Sequence, residues 1–226
     1  MTTLPMKGAR LNFVYLIGRP GAGKDTQIKR YLEQNPDVAN IPIGDIFRRG
    51  QNPQDPQYGS YFPIVSPHKT GLDRGQYIPG EAIAAVVKKA TKPLIAGGKT
   101  TFIVNAHPRG LSQLEQLEEM TRGLTEDGFE TRSLFIYLGV TRNEAESRRL
   151  GESGGDGYMP RADDKPDVLK TRLDIFEESS RPMLKEILAR AKSPNSDTRL
   201  EIVRGNRSED QVGIEITQAI DSFIAN

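Results

Sequence analysis

The 226-residue chain carries 31 Lys plus Arg against 30 Asp plus Glu, a net charge of +1, and no cysteine. That excludes disulfides, thiolate metal sites and cysteine nucleophiles, and it argues against non-specific nucleic-acid binding as the main task. A chain of this length buries roughly 70% of its unfolded surface, enough for a full core without covalent staples.

In chain order, Leu11 to Ile17 is an apolar, β-prone run of strand length, and Gln27 to about Glu33 reads as a helix that Asn35-Pro36 ends. Between them lies Gly18-Arg19-Pro20-Gly21-Ala22-Gly23-Lys24-Asp25-Thr26. Strand, glycine-rich loop, lysine and helix form the context of a phosphate-binding P-loop. The glycines let the backbone bend around an anion and turn several N–H groups inward. The helix start adds unpaired donors and a positive dipole end, and Lys24 can reach outer phosphates as a point charge. The strict pattern has Ser or Thr directly after the lysine; here Asp25 intervenes before Thr26. Asp25 has two readings: a first-turn carboxylate favoured by the helix dipole, or an oxygen ligand to Mg²⁺ or its water shell.

Ala39 to Ile43 is a short apolar segment, and Gly44 to Arg49 reads as a helix start. Residues 50–71, with Pro53, Pro56, Pro63 and Pro67, predict a loop with at most short helical pieces. Glu81 to Lys89 predicts a helix, and Thr101 to Val104 a buried strand ending at Asn105-Ala106-His107-Pro108-Arg109. Leu111 to Arg122 places apolar residues at 111, 114, 117 and 120, one helical face. Leu134 to Leu138 predicts a strand, Arg142 to Leu150 a helix, and Glu152 to Asp164 a glycine-rich polar loop. Residues 166–191 form the longest helical pattern, followed by a strand at Leu200 to Val203 and a helix at Glu209 to Ile224. Alternating strands and helices imply an α/β fold, a parallel sheet covered by helices on both faces. Ligands in such folds sit beyond the carboxyl ends of the strands, where residues 18–26, 105–109 and 139–142 fall. No apolar run is long enough to cross a membrane, and Met1 to Arg10 lacks an apolar signal core, so a cytoplasmic location without a membrane partner is expected.

Several ordered motifs together resemble the adenylate kinase family of nucleoside monophosphate kinases, which have the P-loop kinase fold. Gly18 to Gln27 is similar to its GxPGxGKGTQ loop, Gly44 to Arg48 to TGDxxR, and Gly75 to Pro79 to GxxVP. Asn105 to Arg109 with Gln113 resembles DGFPRxxxQ, and Arg161-Ala162-Asp163-Asp164 resembles RxDD in the lid. Arg172-Leu173 resembles the RL pair that follows, and Val203-Arg204-Gly205 the late turn near bound adenine. The resemblance implies a core of residues 1–43, 73–150 and 165–226, an acceptor-binding insertion at 44–72 and a short lid at 151–164.

It also implies transfer of the γ-phosphoryl group of ATP to a nucleoside monophosphate, AMP favoured, with Mg²⁺ as cofactor, in a monomer that takes no nucleic acid. Such transfer needs positioning and charge neutralisation more than covalent help. Gly18, Pro20, Gly21, Ala22, Gly23, Lys24, Asp25, Thr26, Arg149 and Gly205 would bind ATP. Asp45, Arg48, Ile78, Arg109 and Gln113 would bind AMP, with Gln113 on the adenine edge. Lys24, Arg109, Arg161 and Arg172 would be catalytic, since the guanidinium fork meets phosphate bidentately. Thr26 and Asn105 would stand at the metal, Asn105 where the family has an aspartate that orders water around Mg²⁺. His107 stands where the pattern has an aromatic residue, and reads as a core or stacking histidine. The alternatives are an adenylate-binding module with weak or no transfer, and a P-loop kinase for another small acceptor.

Overall fold

The computed structural model describes residues 8–151, 165–194 and 196–225. β1 (Arg10–Ile17) is buried at every residue after Arg10. Its side chains alternate between two separate cores: Leu11, Phe13, Tyr15 and Ile17 on one face, Val14 and Leu16 on the other. A strand apolar on both faces is stable only in the middle of a sheet covered on both sides. α1 (Lys24–Gln34) follows the glycine loop, then β2 (Ala39–Ile41) and α2 (Ile43–Arg49). Residues 50–73 hold two 3₁₀ turns and the short helices α3 (Phe62–Val65) and α4 (Lys69–Asp73), as the prolines predict. α5 (Gly80–Ala96), β3 (Thr101–Asn105), α6 (Leu111–Glu126), β4 (Glu130–Gly139) and α7 (Arg142–Arg149) come next. α8 (Pro166–Ala191), β5 (Thr198–Arg204) and α9 (Glu209–Ala225) complete the described elements.

All five strands are parallel, in the order β2-β3-β1-β4-β5. Phe13 pairs in register with Phe102 of β3, and Tyr15 with Phe135 of β4. Their rings stack across the sheet at 5.2 and 4.8 Å, a row of offset aromatic contacts that fixes the register. α5, α6 and the later part of α8 cover one face; α1, α9 and the start of α8 cover the other. The α/β class and two-sided cover expected from the alternation are what the chain forms.

Several boundaries differ from the sequence reading: α6 runs on past Arg122 to Glu126, β5 spans Thr198–Arg204, and two further shifts follow directly from packing. The helix expected at 81–89 runs to Ala96 past Pro93, because Ile83, Val86, Val87, Ala90 and Ile95 form one buried stripe. That burial outweighs the interior-proline cost of about 3 kcal/mol. β4 begins at Glu130 rather than Leu134, since its ladder with β1 starts at Arg10 and draws in a polar stretch without strand character. Among the described residues no helix is long and apolar enough to cross a membrane. The parallel sheet puts the ends of β1, β3, β4 and β5 along one edge, which brings loops far apart in sequence to one place.

Candidate active site

A cavity of about 870 Å³ opens at that edge. Its floor is the loop 18–26. Gly21 has φ +86°, and a Cβ there would lie 2.3 Å from the carbonyl oxygen of Ala145 on α7. Only glycine lets the loop pass α7 so closely. Gly21→Ala is therefore expected to cost at least roughly 2 kcal/mol of stability, measured by denaturant unfolding; an unchanged midpoint would show that the loop has room to shift.

Lys24 starts α1 and is 8% exposed. Its Nζ donates to the carbonyl oxygens of Gly18 and Arg19, each at 2.8 Å. Burial pushes its pKa down to about 7; Asp25 opposes this, while Arg109, Arg172 and Arg149 reinforce it. Three guanidinium groups thus lie close enough to the ammonium to repel it. A cluster of like charges around a buried ammonium favours the binding of an anion. Arg48, Arg109, Arg148, Arg149 and Arg172 all line the cavity with Lys24. Asp45 also lines it, held by Arg48 Nη2 at 2.5 Å.

Each arginine is set by its own element. Arg48 sits in the last turn of α2, Arg149 in that of α7, and Arg172 on α8 with only 8% exposure. Arg109 follows β3; its Nε donates to the carbonyl of Ala106 at 2.8 Å, and its guanidinium lies 5.6 Å from the centre of the Tyr77 ring. Arg19, inside the loop, reaches the Val140 carbonyl at 2.6 Å and Glu177 of α8. It therefore braces the loop. Arg148 donates to Glu144 and, at 2.8 Å, to the Gly205 carbonyl, which ties α7 to the turn after β5. Arg149 is the arginine of this pair close enough to act on Lys24.

At the cavity's mouth Asn105 Nδ2 donates to the carboxylate of Asp25. Asn105 Oδ1 is buried without a hydrogen-bond partner. Asp25 and Thr26 line the cavity, and their carboxylate and hydroxyl are hard oxygen donors that suit a small divalent cation keeping most of its waters. Among the described residues no cluster of three His, Cys, Asp or Glu side chains forms a protein-only metal cage.

A second chamber, of about 30 Å³, adjoins this one and shares Gly44, Arg48, Arg109 and Arg172 with it. Ile78 and His107 line it. Gln113, 3% exposed, lies behind that wall. Its Oε1 accepts from the Arg109 amide at 2.8 Å and lies 3.0 Å from His107 Nδ1; its Nε2 donates to the Ile78 carbonyl at 2.7 Å. The amide expected at a base edge is thus turned into the protein, where it clamps the turn after β3 to the segment before α5. His107 is buried, and burial first, then Arg109, hold its pKa well below the usual histidine value, so the ring is neutral.

The structure therefore brings Gly18, Pro20, Gly21, Ala22, Gly23, Lys24, Asp25, Thr26, Asp45, Arg48, Asn105, Arg109, Arg149, Arg172 and Gly205 to one cavity. Ile78 lines the adjoining chamber, and Gln113 lines neither. Arg161 and the lid segment from Glu152 to Asp164 lie outside the described residues. Sequence reasoning gave no site role to Tyr77, which also lines the cavity and whose buried hydroxyl has no hydrogen-bond partner. Its place inside Gly75 to Pro79 was the available signal.

Comparison with known proteins agrees with this geometry. The adenylate kinase family model matches residues 16–191. The chain is 30% identical to an adenylate kinase of Nocardioides sp. over 91% of this chain and 95% of that one. It is 28% identical to an adenylate kinase of a Cyanothece species, covering 92% and 94%. A uridylate kinase of Saccharomyces cerevisiae is 26% identical over 93% and 91%. With a glycine-rich loop, a buried lysine and several arginines around one cavity, and with the family match spanning most of its length, this chain belongs to the adenylate kinase family of nucleoside monophosphate kinases.

Proposed function

We propose that the protein transfers the γ-phosphoryl group of ATP to AMP, yielding two ADP. The observation that carries this is the convergence of Lys24, Arg48, Arg109, Arg149 and Arg172 on one cavity large enough for two nucleotides' phosphates. The loop 18–26 and Lys24 hold the donor's β- and γ-phosphates. Arg48 and Arg109 hold the acceptor's phosphate, and Arg172 bridges the two. Arg149 and the turn at Gly205 face the donor's adenosine. Bringing the phosphates into line among fixed cations removes the main barrier, their mutual repulsion, and no histidine base is required. Residues 44–72 form the acceptor-binding insertion and 151–164 the lid, with Arg161 approaching the transferring group from it. AMP as acceptor rests on the named adenylate kinases among the relatives; the uridylate kinase in the same set makes the acceptor's base the point to measure. A coupled assay of ADP formation from ATP with AMP, CMP, UMP and GMP tests this. AMP turnover well above the others supports it; binding without turnover favours an adenylate-binding module.

Mg²⁺ bound with ATP supplies charge neutralisation on the phosphates. Asp25 would contribute the carboxylate and Thr26 a neutral oxygen, through water, with Asn105 Nδ2 holding the carboxylate in place. Asp25→Asn is then expected to weaken Mg²⁺ binding to the complex with a non-hydrolysable ATP analogue by about tenfold, read by calorimetric titration. An unchanged Mg²⁺ affinity would assign Asp25 to the helix dipole alone.

A further inference from the structure

His107 Nδ1 and Gln113 Oε1 are 3.0 Å apart, and the sense of that contact can be deduced. The Arg109 backbone N–H can only donate, so the amide atom it meets at 2.8 Å is oxygen. The Ile78 carbonyl can only accept, so the atom it meets at 2.7 Å is the amide nitrogen. Two backbone groups of fixed sense thus orient the Gln113 amide without ambiguity. An oxygen facing His107 Nδ1 requires the proton on Nδ1. In the neutral ring Nε2 then carries a lone pair.

His107 lines the small chamber beside Arg48, Arg109 and Arg172, and its Nδ1 is turned away to Gln113. Nε2 is the ring nitrogen left for that chamber. Within the function proposed above, Arg48 and Arg109 hold the acceptor's phosphate, so the chamber beside them receives the acceptor's base. It is too small for a base as it stands. Its wall includes Leu72 of the short helix α4, which is only partly buried against the core, so a base enters by displacing that side chain. We infer that His107 Nε2 is a hydrogen-bond acceptor selecting an acceptor nucleotide whose base presents an exocyclic amine over the keto counterpart, with Gln113 the positioning residue that fixes the tautomer. An amine donates to Nε2. A carbonyl at the same place sets two lone pairs against each other in a dry site, the mismatch a hydrogen-bonding pocket rejects most strongly.

AMP and IMP probe the effect on one ring system: the C6 amine becomes a carbonyl, and N1 changes with it from a lone pair to an N–H, so the ratio is read together with its change in His107→Phe. Equilibrium titration of the full-length protein should show AMP binding at least about tenfold more tightly than IMP. In His107→Phe the ratio should fall to about threefold or less, through loss of AMP affinity rather than gain of IMP. The tautomer is read separately by long-range ¹H–¹⁵N NMR of the wild-type protein. It has only two histidines, and His68→Gln assigns the other. Nδ1 should show the shift of a protonated ring nitrogen and Nε2 that of an unprotonated one; Gln113→Leu should mix the two forms. A proton on Nε2 in the wild type overturns the inference. So does an AMP-to-IMP ratio that His107→Phe leaves intact, or a wild type that binds neither nucleotide. If the variants do not fold, the wild-type ratio and NMR spectrum decide. Absence of turnover with every monophosphate would defeat the proposed kinase reaction while these binding and NMR results still judge His107.

Discussion

Lys24→Met is expected to lower kcat/KM for ATP by about 10³-fold, the effect of removing a fixed charge from a phosphoryl-transfer site. Methionine keeps the length and the packing and removes only the charge, so the fold should persist. The argument rests on what Lys24 does in the nucleotide-free protein. It is folded back onto two carbonyls of its own loop and crowded by Arg109, Arg149 and Arg172, and its pKa falls to about 7 from an ordinary 10.5. A triphosphate replaces those carbonyls and offsets the arginines, so the ammonium regains its proton. ATP binding near pH 8 should therefore take up close to about one proton in the wild type and none through this site in Lys24→Met, read from calorimetry in buffers of different ionisation enthalpy. The same shift fixes a stability trend. Between about pH 7 and 10.5 the unfolded chain keeps this proton and the folded chain has released it, so the contribution of Lys24 to stability rises with pH across that window. The difference between wild type and Lys24→Met, from pH 7 to 9.5, should show that rise. Unaltered ATP handling in the variant would end the proposal that the loop and Lys24 form the donor site.

Arg172→Met is expected to reduce kcat by about 10³-fold, within the range for an arginine that stabilises transferring phosphate. Arg172 is buried, lines the cavity beside Arg48 and Arg109 and acts on Lys24, a place that suits the bridging role proposed above. Arg172→Lys should recover no more than about tenfold of the loss, because a point charge on a flexible stem cannot meet two oxygens at once. A second readout separates this role from simple support of the fold. Arg172 is one of the groups that push the Lys24 pKa down. Its removal should raise that pKa and shrink the proton uptake on ATP binding near pH 8. Full turnover in Arg172→Lys, or unchanged proton uptake in Arg172→Met, would place Arg172 in the packing rather than the chemistry.

Much of the architecture was legible because its causes are local. Leu11 to Ile17 is apolar at every position but Asn12, which marks a central strand. The glycine loop carries its own backbone demands, and residues 166–191 show their helical period without help from the rest of the chain. The ends of β4 and α5 were not legible. Glu130 to Ser133 become strand only because β1 lies beside them, and α5 passes Pro93 only because its far turn is buried.

The candidate site divides the same way. The ordered motifs that resemble the family implied the loop, Lys24, Arg48, Arg109 and Arg172 as site residues, and the parallel sheet collects the neighbouring strand ends on one edge. What the amino-acid order could not state is which polar group faces which. Asp25 and Asn105, 80 residues apart, meet only because β1 and β3 are neighbours. Gln113 turns from the expected base edge into the protein because the Ile78 carbonyl, 35 residues away, and the Arg109 amide claim its two ends. Chain-local chemistry determined most of the elements and the glycine loop with Lys24. Hydrogen-bond direction between segments that approach only after packing decided the rest, because a side chain's partner is set by distance in space and not by spacing in sequence.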